Sequence, residues 1–332
     1  MVNVAIVGAG KVGELHAQAL AGLRGARLAG VYDPRAERAQ ALAATYDTVV
    51  CTFDEVLADP FITAIILATP SELHLQQLRR YVEAGKHVLC EFPLFGPSGE
   101  LKRIFDIAVR KGVCARVAHT THYLPPYVRA RRILQSGRLG QPNAALYRRR
   151  LYRPGGVAPG RDWRDNALTH LGGHALDLLT WLLDDTPARI RTEAHPSARE
   201  ATVVGLLLCM AGGTLATIGI DFESRPNGTW LEVACQRGTL AVHGFSRLEV
   251  NGRVTWQVAD DDGPYRAAIA AQDRDFVSAL QGRASGAGDM SHDTMRLNEW
   301  MARAVKSARG RSGGPCHPSQ ELSRHGQGDA HI

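Results

Sequence analysis

The sequence predicts an α/β fold in which a domain with a parallel sheet precedes an α+β domain with a mostly antiparallel sheet. Residues 1–120 alternate short apolar runs with helical segments, and strands that alternate with helices of about 10–15 residues indicate βαβ units. Residues 121–308 contain many strand-like stretches, several joined by short turns such as Asn251-Gly252. Residues 309–332 are mostly Gly, Ser, Pro, His and polar types, so we expect a disordered tail.

The predicted strands of the first domain are short apolar runs bounded by turn-forming residues. They cover residues 2–7, 27–32, 48–51, 64–68, 87–91 and 113–118. The segments between them place apolar residues at helical spacing. The predicted helices cover residues 11–23, 34–45, 54–58, 72–84 and 98–111.

The second domain is predicted to be a sheet with its helices on one face. Its predicted strands cover residues 144–152, 188–195, 202–210, 214–222, 229–234, 238–243, 248–250 and 254–258. Its predicted helices cover residues 125–136, 169–183, 264–281 and 291–308. A large uncovered sheet face is unusual for a soluble monomer, so we expect a homodimer or homotetramer.

Composition excludes several classes of protein. Hydrophobic residues make up 45% and charged residues 22% of the chain, which excludes a wholly disordered chain, a collagen and a coiled coil. The chain has no apolar run of membrane-spanning length and no signal-peptide pattern. The six cysteines show no paired spacing. We therefore expect a cytoplasmic protein without a membrane partner and without disulfides.

The formal net charge of +6 comes almost entirely from arginine, because only five of the 39 basic residues are lysines. Arginine suits carboxylate and phosphate ligands. A GC-rich genome also favours arginine over lysine, without any functional meaning. The arginines are scattered except at residues 148–150, whereas nucleic-acid binding needs a basic stripe interleaved with aromatics. The expected partner is a small-molecule substrate rather than nucleic acid.

A glycine-rich loop marks the predicted nucleotide site. The sequence Gly8-Ala9-Gly10-Lys11-Val12-Gly13 follows the first strand and opens a helix. In this setting the first glycine makes the turn, the second admits the pyrophosphate and the third permits close helix–strand packing. The helix N-terminus, at Lys11 and Val12, offers free N–H groups to the phosphates. The motif in this position predicts a Rossmann dinucleotide-binding domain.

The acidic residue after the second strand predicts the cofactor. Asp33 lies 20 residues after Gly13, where a carboxylate binds the ribose 2′-hydroxyl. Its charge opposes a 2′-phosphate, while Arg35 lies close enough to favour one. We expect NAD, with NADP as the alternative.

Three further motifs resemble those of one oxidoreductase family. They are residues 68–74 (ATPSELH), residues 85–88 (GKHV) leading to Glu91-Phe92-Pro93, and residues 170–177 (HLGGHALD). Over residues 1–308 the chain resembles the Gfo/Idh/MocA oxidoreductases. The resemblance implies that the second and third motifs lie beside the nicotinamide and the substrate carbon. Phe92 replaces the usual Lys and His170 the usual first Asp, so we expect Phe92 to stack on the nicotinamide or wall it off.

A subgroup of that family shares both departures. The segments Ala118-His119-Thr120 and Arg161-Asp162-Trp163-Arg164-Asp165 are similar to segments of the 4-carboxy-2-hydroxymuconate-6-semialdehyde dehydrogenases. This similarity implies oxidation of a cyclic hemiacetal to a lactone, and it makes His119, Arg161 and Trp163 candidate substrate contacts. Members of that subgroup favour NADP, whereas Asp33 here favours NAD.

Histidine spacing predicts the group that handles the substrate proton. An alcohol oxidised by hydride transfer also loses its hydroxyl proton, and imidazole titrates close to neutral pH. His170 and His174 lie four residues apart, so a helix presents both on one face. We expect His174 to be the acid/base, His170 to orient it or replace it, and Asp177 to fix the tautomer of His174. Core or capping histidines and a three-ligand metal site are the alternatives, and we expect no metal.

Several other residues are predicted to contact the cofactor. Thr69, Pro70 and His74 begin a helix after the third main strand, near the expected ribose or nicotinamide, and Thr69-Pro70 is also an ordinary helix start. Glu91 is expected mainly to shape its loop. The glycines at 172 and 173 favour helix poorly, which predicts that another group packs closely against them.

We therefore expect an NAD(P)-dependent oxidoreductase that transfers hydride between nicotinamide and a small oxygenated substrate, neutral or anionic. A cyclic hemiacetal, a semialdehyde or a sugar-like alcohol fits this description. One alternative is a reductase of a cyclic imine or a conjugated C=N or C=C bond, for which an aromatic residue at position 92 is suitable. The other is a non-catalytic regulatory protein that binds the dinucleotide.

Overall fold

A computed structural model describes residues 1–153, 166–195, 200–283 and 290–309. The first domain has five strands, β1 (Val2–Val7), β2 (Ala26–Tyr32), β3 (Ala64–Leu67), β4 (His87–Cys90) and β5 (Ala115–Val117). Its helices are α1 (Lys11–Ala21), α2 (Ala36–Thr45), α3 (Phe53–Ala58), α4 (Ser71–Glu83) and α5 (Ser98–Lys111). The strands form a parallel sheet in the order β2-β1-β3-β4-β5. This arrangement confirms the predicted α/β domain.

The central strands of this sheet are covered on both faces. Every residue of β3 is at most 1% exposed, as expected for a parallel strand with helices on either side. The strand predicted at residues 48–51 is wrong, because only Val50 makes a β-bridge there, to Val31. Val49 and Val50 are 60% and 47% exposed, so this edge segment has no core to cover and gains nothing from longer pairing.

The second domain is built on an eight-stranded sheet. Its strands are β6 (Pro142–Arg150), β7 (Pro187–His195), β8 (Val203–Met210), β9 (Leu215–Asp221), β10 (Gly228–Cys235), β11 (Gly238–His243), β12 (Arg247–Val250) and β13 (Arg253–Gln257). Its helices are α6 (Pro125–Gln135), α7 (Gly173–Leu183), α8 (Asp262–Leu280) and α9 (Met290–Arg309). The strand order is β13-β12-β11-β10-β6-β9-β8-β7. Only the β6–β9 pair is parallel among the pairs in this sheet, which confirms a mostly antiparallel sheet.

The two faces of this sheet differ in burial. Along β6, Ala145 and Tyr147 are buried, whereas Leu146 between them is 51% exposed. Leu207 and Leu215, on two other strands, are 39% and 47% exposed. The predicted homodimer or homotetramer would cover this apolar face, and it stays a prediction.

Two expectations concern the chain as a whole. Among the described residues, no helix combines the length and the apolar character that crossing a bilayer requires. The five cysteines in the described ranges form no disulfide with one another. The predicted tail from residue 310 onward lies outside the described residues.

A buried charged cluster joins the start of the chain to α8. The Nδ1 atom of His16, on α1, lies 2.9 Å from both carboxylate oxygens of Asp273, and its Nε2 atom lies 2.9 Å from Glu91 Oε1. Burial alone would lower the pKa of His16, but Asp273 and then Glu91 outweigh it and raise the pKa to about 10. His16 is therefore a buried imidazolium at neutral pH, held by two carboxylates.

The raised pKa predicts a loss of stability in alkali. Because the pKa of His16 is higher in the folded chain than its ordinary value of about 6.5, its contribution is complete below that value and is lost as the pH approaches 10. His16→Gln should lower the free energy of unfolding at neutral pH by about 3–5 kcal/mol, since Asp273 stays buried without its cation. It should also flatten the decline above neutral pH. Urea unfolding at several pH values measures both effects.

The matched control is His243→Gln. Nε2 of His243 lies 3.7 Å from Oε1 of Glu249 at a partly exposed position, where an ion pair is worth about 1 kcal/mol or less. An alkaline decline of the same steepness in His16→Gln and in the unaltered chain would contradict the assignment.

Candidate active site

The glycine-rich loop has the shape that a bound diphosphate requires. Gly8 has a φ of +106°, and a Cβ there would overlap the carbonyl of Ala68. A Cβ at Gly13 would overlap the carbonyl of Gly8. At Gly10 the nearest atom to an added Cβ is Nη1 of Arg38, 4.0 Å away. Two of the glycines are therefore needed for packing, while Gly10 borders open space in front of the α1 N-terminus.

Asp33 is fixed beside this loop. Its Oδ2 accepts a hydrogen bond from the backbone N–H of Ala9 at 2.8 Å, and its Oδ1 accepts one from that of Arg35 at 2.9 Å. The carboxylate thus orders the phosphate loop and leaves a negative charge where a ribose 2′-group lies in this fold. The side chains of Lys11 and Arg35 are exposed. These residues fit NAD.

A cavity of about 200 Å³ brings the predicted cofactor residues together with a predicted catalytic histidine. It lies at the carboxyl ends of β3 and β4, where open parallel sheets bind ligands. Its lining consists of Val12, Ala68, Thr69, Pro70, Ser71, Glu72, His74, Glu91, Phe92, Pro93 and His170. The residues that sequence reasoning assigned to the nicotinamide end therefore share one cavity.

Two of these residues use their polar atoms to hold the cavity walls. The ring nitrogens of His74 lie 2.9 Å from the carbonyl of Pro93 and 2.7 Å from that of Thr69. Both nitrogens face backbone carbonyls and the side chain is 1% exposed, so His74 joins two loops. Its predicted contact with the ribose or nicotinamide stays a prediction. Glu91 contacts His16, as expected for a residue that shapes its loop.

Phe92 packs between the cavity and the start of α7. A Cβ added at Gly173 would lie 3.0 Å from Cζ of Phe92 and 3.1 Å from Cζ of Phe95. The predicted close packing against this glycine is thereby confirmed. The ring of Phe92 also lies on that of His174, with centroids 4.0 Å apart. Phe92 thus places an apolar surface beside the candidate base.

The two candidate catalytic histidines are neighbours. A π-helical turn (Ala167–Gly172) carries His170, and α7 carries His174. The ring centroids are 5.4 Å apart. Burial, the nearby His170 and the charge of Arg149 hold the pKa of His174 well below its usual value. His174 is therefore neutral at physiological pH.

Asp177 does not contact His174, so its predicted role in fixing that tautomer is wrong. Its Oδ2 lies 2.9 Å from Nδ1 of His119 and 3.0 Å from Nε2 of His122. Although burial raises the pKa of Asp177, the two histidines hold it well below its usual range. The intervening turn of α7 directs His174 toward Phe92 and Asp177 toward the 3₁₀ turn Thr120–Tyr123.

His119 is also placed differently from the prediction. Its side chain is fully buried, and its ring centroid lies 6.2 Å from that of Phe92. His119 therefore contacts Asp177 and Thr294 behind the cavity and not the space in which a substrate would lie. His122 was missed by sequence reasoning, although the spacing His119-x-x-His122 directly after a strand was a usable signal.

The triple arginine divides between the faces of the sheet as strand alternation predicts. The guanidinium groups of Arg148 and Arg150 lie 6.0 and 4.7 Å from the centroid of Trp230. Arg149 instead lies 5.8 Å from the ring of Phe245, on the helix-covered face, and its charge lowers the pKa of His174. The predicted substrate contacts Arg161 and Trp163 lie outside the described residues.

Family models match both halves of the chain. The model described as an oxidoreductase family with an NAD-binding Rossmann fold matches residues 2–119, and the model of the GFO/IDH/MocA C-terminal domain matches residues 127–241. The chain belongs to the Gfo/Idh/MocA oxidoreductase family. It is thus an NAD-binding oxidoreductase, related to dehydrogenases and reductases of CH–OH groups.

Two curated relatives show the range of activities among similar proteins. The 4-carboxy-2-hydroxymuconate-6-semialdehyde dehydrogenase of Sphingobium sp. (strain NBRC 103272 / SYK-6) is 26% identical over 287 residues, covering 84% of this chain and 90% of the relative. The inositol 2-dehydrogenase of Rhizobium meliloti (strain 1021) is 25% identical over 289 residues, covering 82% and 79%.

One solved structure illustrates the shared fold. GenD2 from gentamicin A biosynthesis, in complex with NAD, superimposes with a TM-score of 0.80 at 24% identity, covering 93% of this chain and 95% of GenD2. At 24% identity this similarity shows a shared fold and nothing about function.

The open space at Gly10 predicts a clean loss of cofactor binding. Gly10→Ala should fold normally, because its Cβ meets nothing closer than 4.0 Å. The methyl group would hold the pyrophosphate away from the backbone, so the Kd for NAD should rise by about tenfold or more, or at least about 1.4 kcal/mol. Isothermal titration calorimetry measures the Kd. Gly205→Ala, at a site with equally open surroundings, is the control, and an unchanged Kd in Gly10→Ala would contradict the proposed phosphate position.

Proposed function

We propose that this enzyme oxidises a hydroxyl-bearing carbon of a small carboxylate-bearing substrate, such as the cyclic hemiacetal of a semialdehyde, with NAD as hydride acceptor. The observation that carries the proposal is the neutral His174 beside Phe92, next to the cavity lined by the cofactor residues. Bound NAD supplies the hydride chemistry. The protein must supply orientation, exclusion of water and a proton acceptor.

His174 is the proposed proton acceptor. Its side chain is partly exposed, and its Nδ1 atom is buried without a hydrogen-bond partner among the described residues. Oxidation of a hemiacetal carbon breaks its C–H and O–H bonds. The hydride would be taken up by bound NAD, the proton would be taken up by the imidazole of His174, and a lactone would remain. A histidine that is neutral before the reaction can accept this proton directly.

Phe92 has a different part in this proposal. It has no proton to exchange and is 6% exposed, so it excludes water and supports the imidazole of His174 by ring contact. Proton transfer therefore depends on the histidines rather than on residue 92. His170 adjoins His174 and lines the cavity, which suits it to orient the substrate hydroxyl.

Arg149 supports an anionic substrate. It is half-buried on the face of the sheet that carries the helices. In the described part of the chain no carboxylate lies within ion-pair distance of its guanidinium group, and it hydrogen-bonds the hydroxyl of Tyr147 instead. Among the described residues this cation has no carboxylate partner, and arginine binds carboxylates through paired hydrogen bonds. A substrate carboxylate would supply that charge.

The relatives are consistent with this substrate class. One of them is named a semialdehyde dehydrogenase, and a semialdehyde with a suitably placed hydroxyl closes to a hemiacetal. Other relatives are named inositol dehydrogenases. A neutral sugar-like alcohol is therefore the second substrate class to be tested. The two classes differ in charge, so Arg149 distinguishes them.

Replacing His174 tests the chemical step. His174→Gln should lower kcat by about 10²- to 10⁴-fold, the usual contribution of a positioned acid/base, while the Kd for NAD stays unchanged. NADH absorbance with semialdehyde, hemiacetal and polyol substrates measures kcat, and calorimetry measures the Kd. His195→Gln, an exposed histidine at the end of β7, is the control. The proposal would be contradicted if His174→Gln retained turnover. It would also be contradicted if cyclic imines were the only substrates that oxidise NADH.

Replacing Arg149 tests the substrate charge. Arg149→Met should raise the KM for a carboxylate-bearing hemiacetal by roughly tenfold to a hundredfold, since a hydrogen bond to a charged group is worth about 1.5–3 kcal/mol. The KM for a neutral lactol should change little. Arg148→Met removes the neighbouring cation on the opposite face and is the matched control. Equal effects on charged and neutral substrates would show that Arg149 does not bind a carboxylate.

A further inference from the structure

A compact group of potential metal ligands lies behind the active site. His119 Nδ1, His122 Nε2 and Asp177 Oδ2 all lie within 4.8 Å of one another. We call these three residues the HHD cluster. His119 is fully buried, and the side chains of His122 and Asp177 are 11% and 6% exposed. The proposed reaction uses none of these three atoms.

The three atoms lie close together but are poorly aligned for hydrogen bonds. The two nitrogen–oxygen distances are 2.9 and 3.0 Å, yet all three atoms are buried and none makes a well-directed hydrogen bond in the described ranges. Buried polar atoms are normally hydrogen-bonded, and an exception calls for an explanation. A cation between the three atoms supplies one, because each atom then directs a lone pair at the ion.

The two imidazole rings are held in place by other contacts. Nε2 of His119 lies 3.4 Å from the hydroxyl oxygen of Thr294. The ring of His122 is stacked on Trp181, with centroids 4.6 Å apart and an interplanar angle of 7°. Such outer contacts orient the ligands of natural metal sites.

One side of the HHD cluster is open to a polar cavity of about 180 Å³. His122 and Asp177 line this cavity together with the carboxylate of Asp293. It has room for several waters, which would complete the coordination of an ion held by three protein ligands. Asp293 is placed to accept hydrogen bonds from such waters.

We propose that the HHD cluster binds one divalent first-row transition metal ion, of the zinc type, through two imidazole nitrogens and one carboxylate oxygen. Two histidines and a carboxylate suit zinc, cobalt, nickel or iron, whereas calcium and magnesium prefer oxygen ligands. The sequence also suggests a different metal site, formed by His170, His174 and Asp177, where we expect no metal. The two sites share only Asp177.

The location of this site implies a structural role. His119 and His122 follow β5, the last strand of the nucleotide-binding sheet, while Asp177 lies on α7 of the second domain. The ion would join these two elements one helical turn from His174. The ring of Phe92 lies 4.0 Å from that of His174 and 6.2 Å from that of His119, and the proposed ion is given no part in hydride transfer.

Metal binding to the full-length, tag-free enzyme tests the proposal directly. The tail histidines His317, His325 and His331 are first replaced by Gln to remove a competing source of ligands. After removal of metal with a chelator, the enzyme should bind one equivalent of Co²⁺ with visible d–d bands. It should also bind one equivalent of Zn²⁺ with a rise in Tm. X-ray absorption of the Zn²⁺-loaded enzyme should show two imidazoles in the first coordination shell.

A ligand variant and a control complete the test. His122→Phe preserves an aromatic ring against Trp181 and should abolish the stoichiometric Co²⁺ bands, while NAD binding reports that the variant is folded. His243→Phe, outside the HHD cluster, should keep the bands. Substoichiometric binding without d–d bands, fewer than two imidazoles around Zn²⁺, or bands that survive in a folded His122→Phe would each overturn the proposal. None of these readouts depends on turnover, so the result is independent of the proposed reaction.

Discussion

The approach of the Phe92 ring to the backbone of Gly173 is the contact on which the geometry of the site depends. The loop after β4 lines the cofactor cavity, and α7 carries the candidate base, so this contact sets the distance between the two. It requires a residue without a Cβ at position 173, because an added Cβ would lie 3.0 Å from the ring. It also brings the ring of His174 to 4.0 Å from Phe92. A phenylalanine at this point fixes the imidazole without competing for its proton.

Two histidines in this enzyme differ in charge at neutral pH, one cationic and one neutral, because their neighbours differ. His16 lies between two carboxylates, and its pKa rises to about 10. His174 lies near another histidine and Arg149, and its pKa falls. The first therefore serves as a permanent cation that joins α1 to α8 and to the loop of Glu91. The second is the proposed base, and the difference between the two pKa values follows from their environments.

Local sequence patterns predicted most of the fold. They could not predict contacts between segments that are distant in the sequence. Hydrophobic periodicity and turn residues located both sheets, and the glycine-rich loop located the diphosphate site. The error at residues 48–51 arose because β-forming residues at a sheet edge do not pair without a core to cover. The partner of His16 is 257 residues away, and no spacing rule reaches that far. The three-residue spacing of His174 and Asp177 correctly predicted that the two residues are close on one helix. It could not predict that the carboxylate faces His119 and His122.

The contacts along α7 explain how one helix serves both domains. Gly173 meets the nucleotide-domain loop through Phe92, and Asp177, about one turn later, meets the segment after β5 through two histidines. Gly173 and Asp177 lie four residues apart on one face of α7, so rotation of the helix about its axis would break both contacts. His174 lies between these points in the sequence, and its ring packs on that of Phe92. The proposed proton transfer needs an imidazole held in a fixed orientation, which would give both contacts a purpose beyond the stability of the fold.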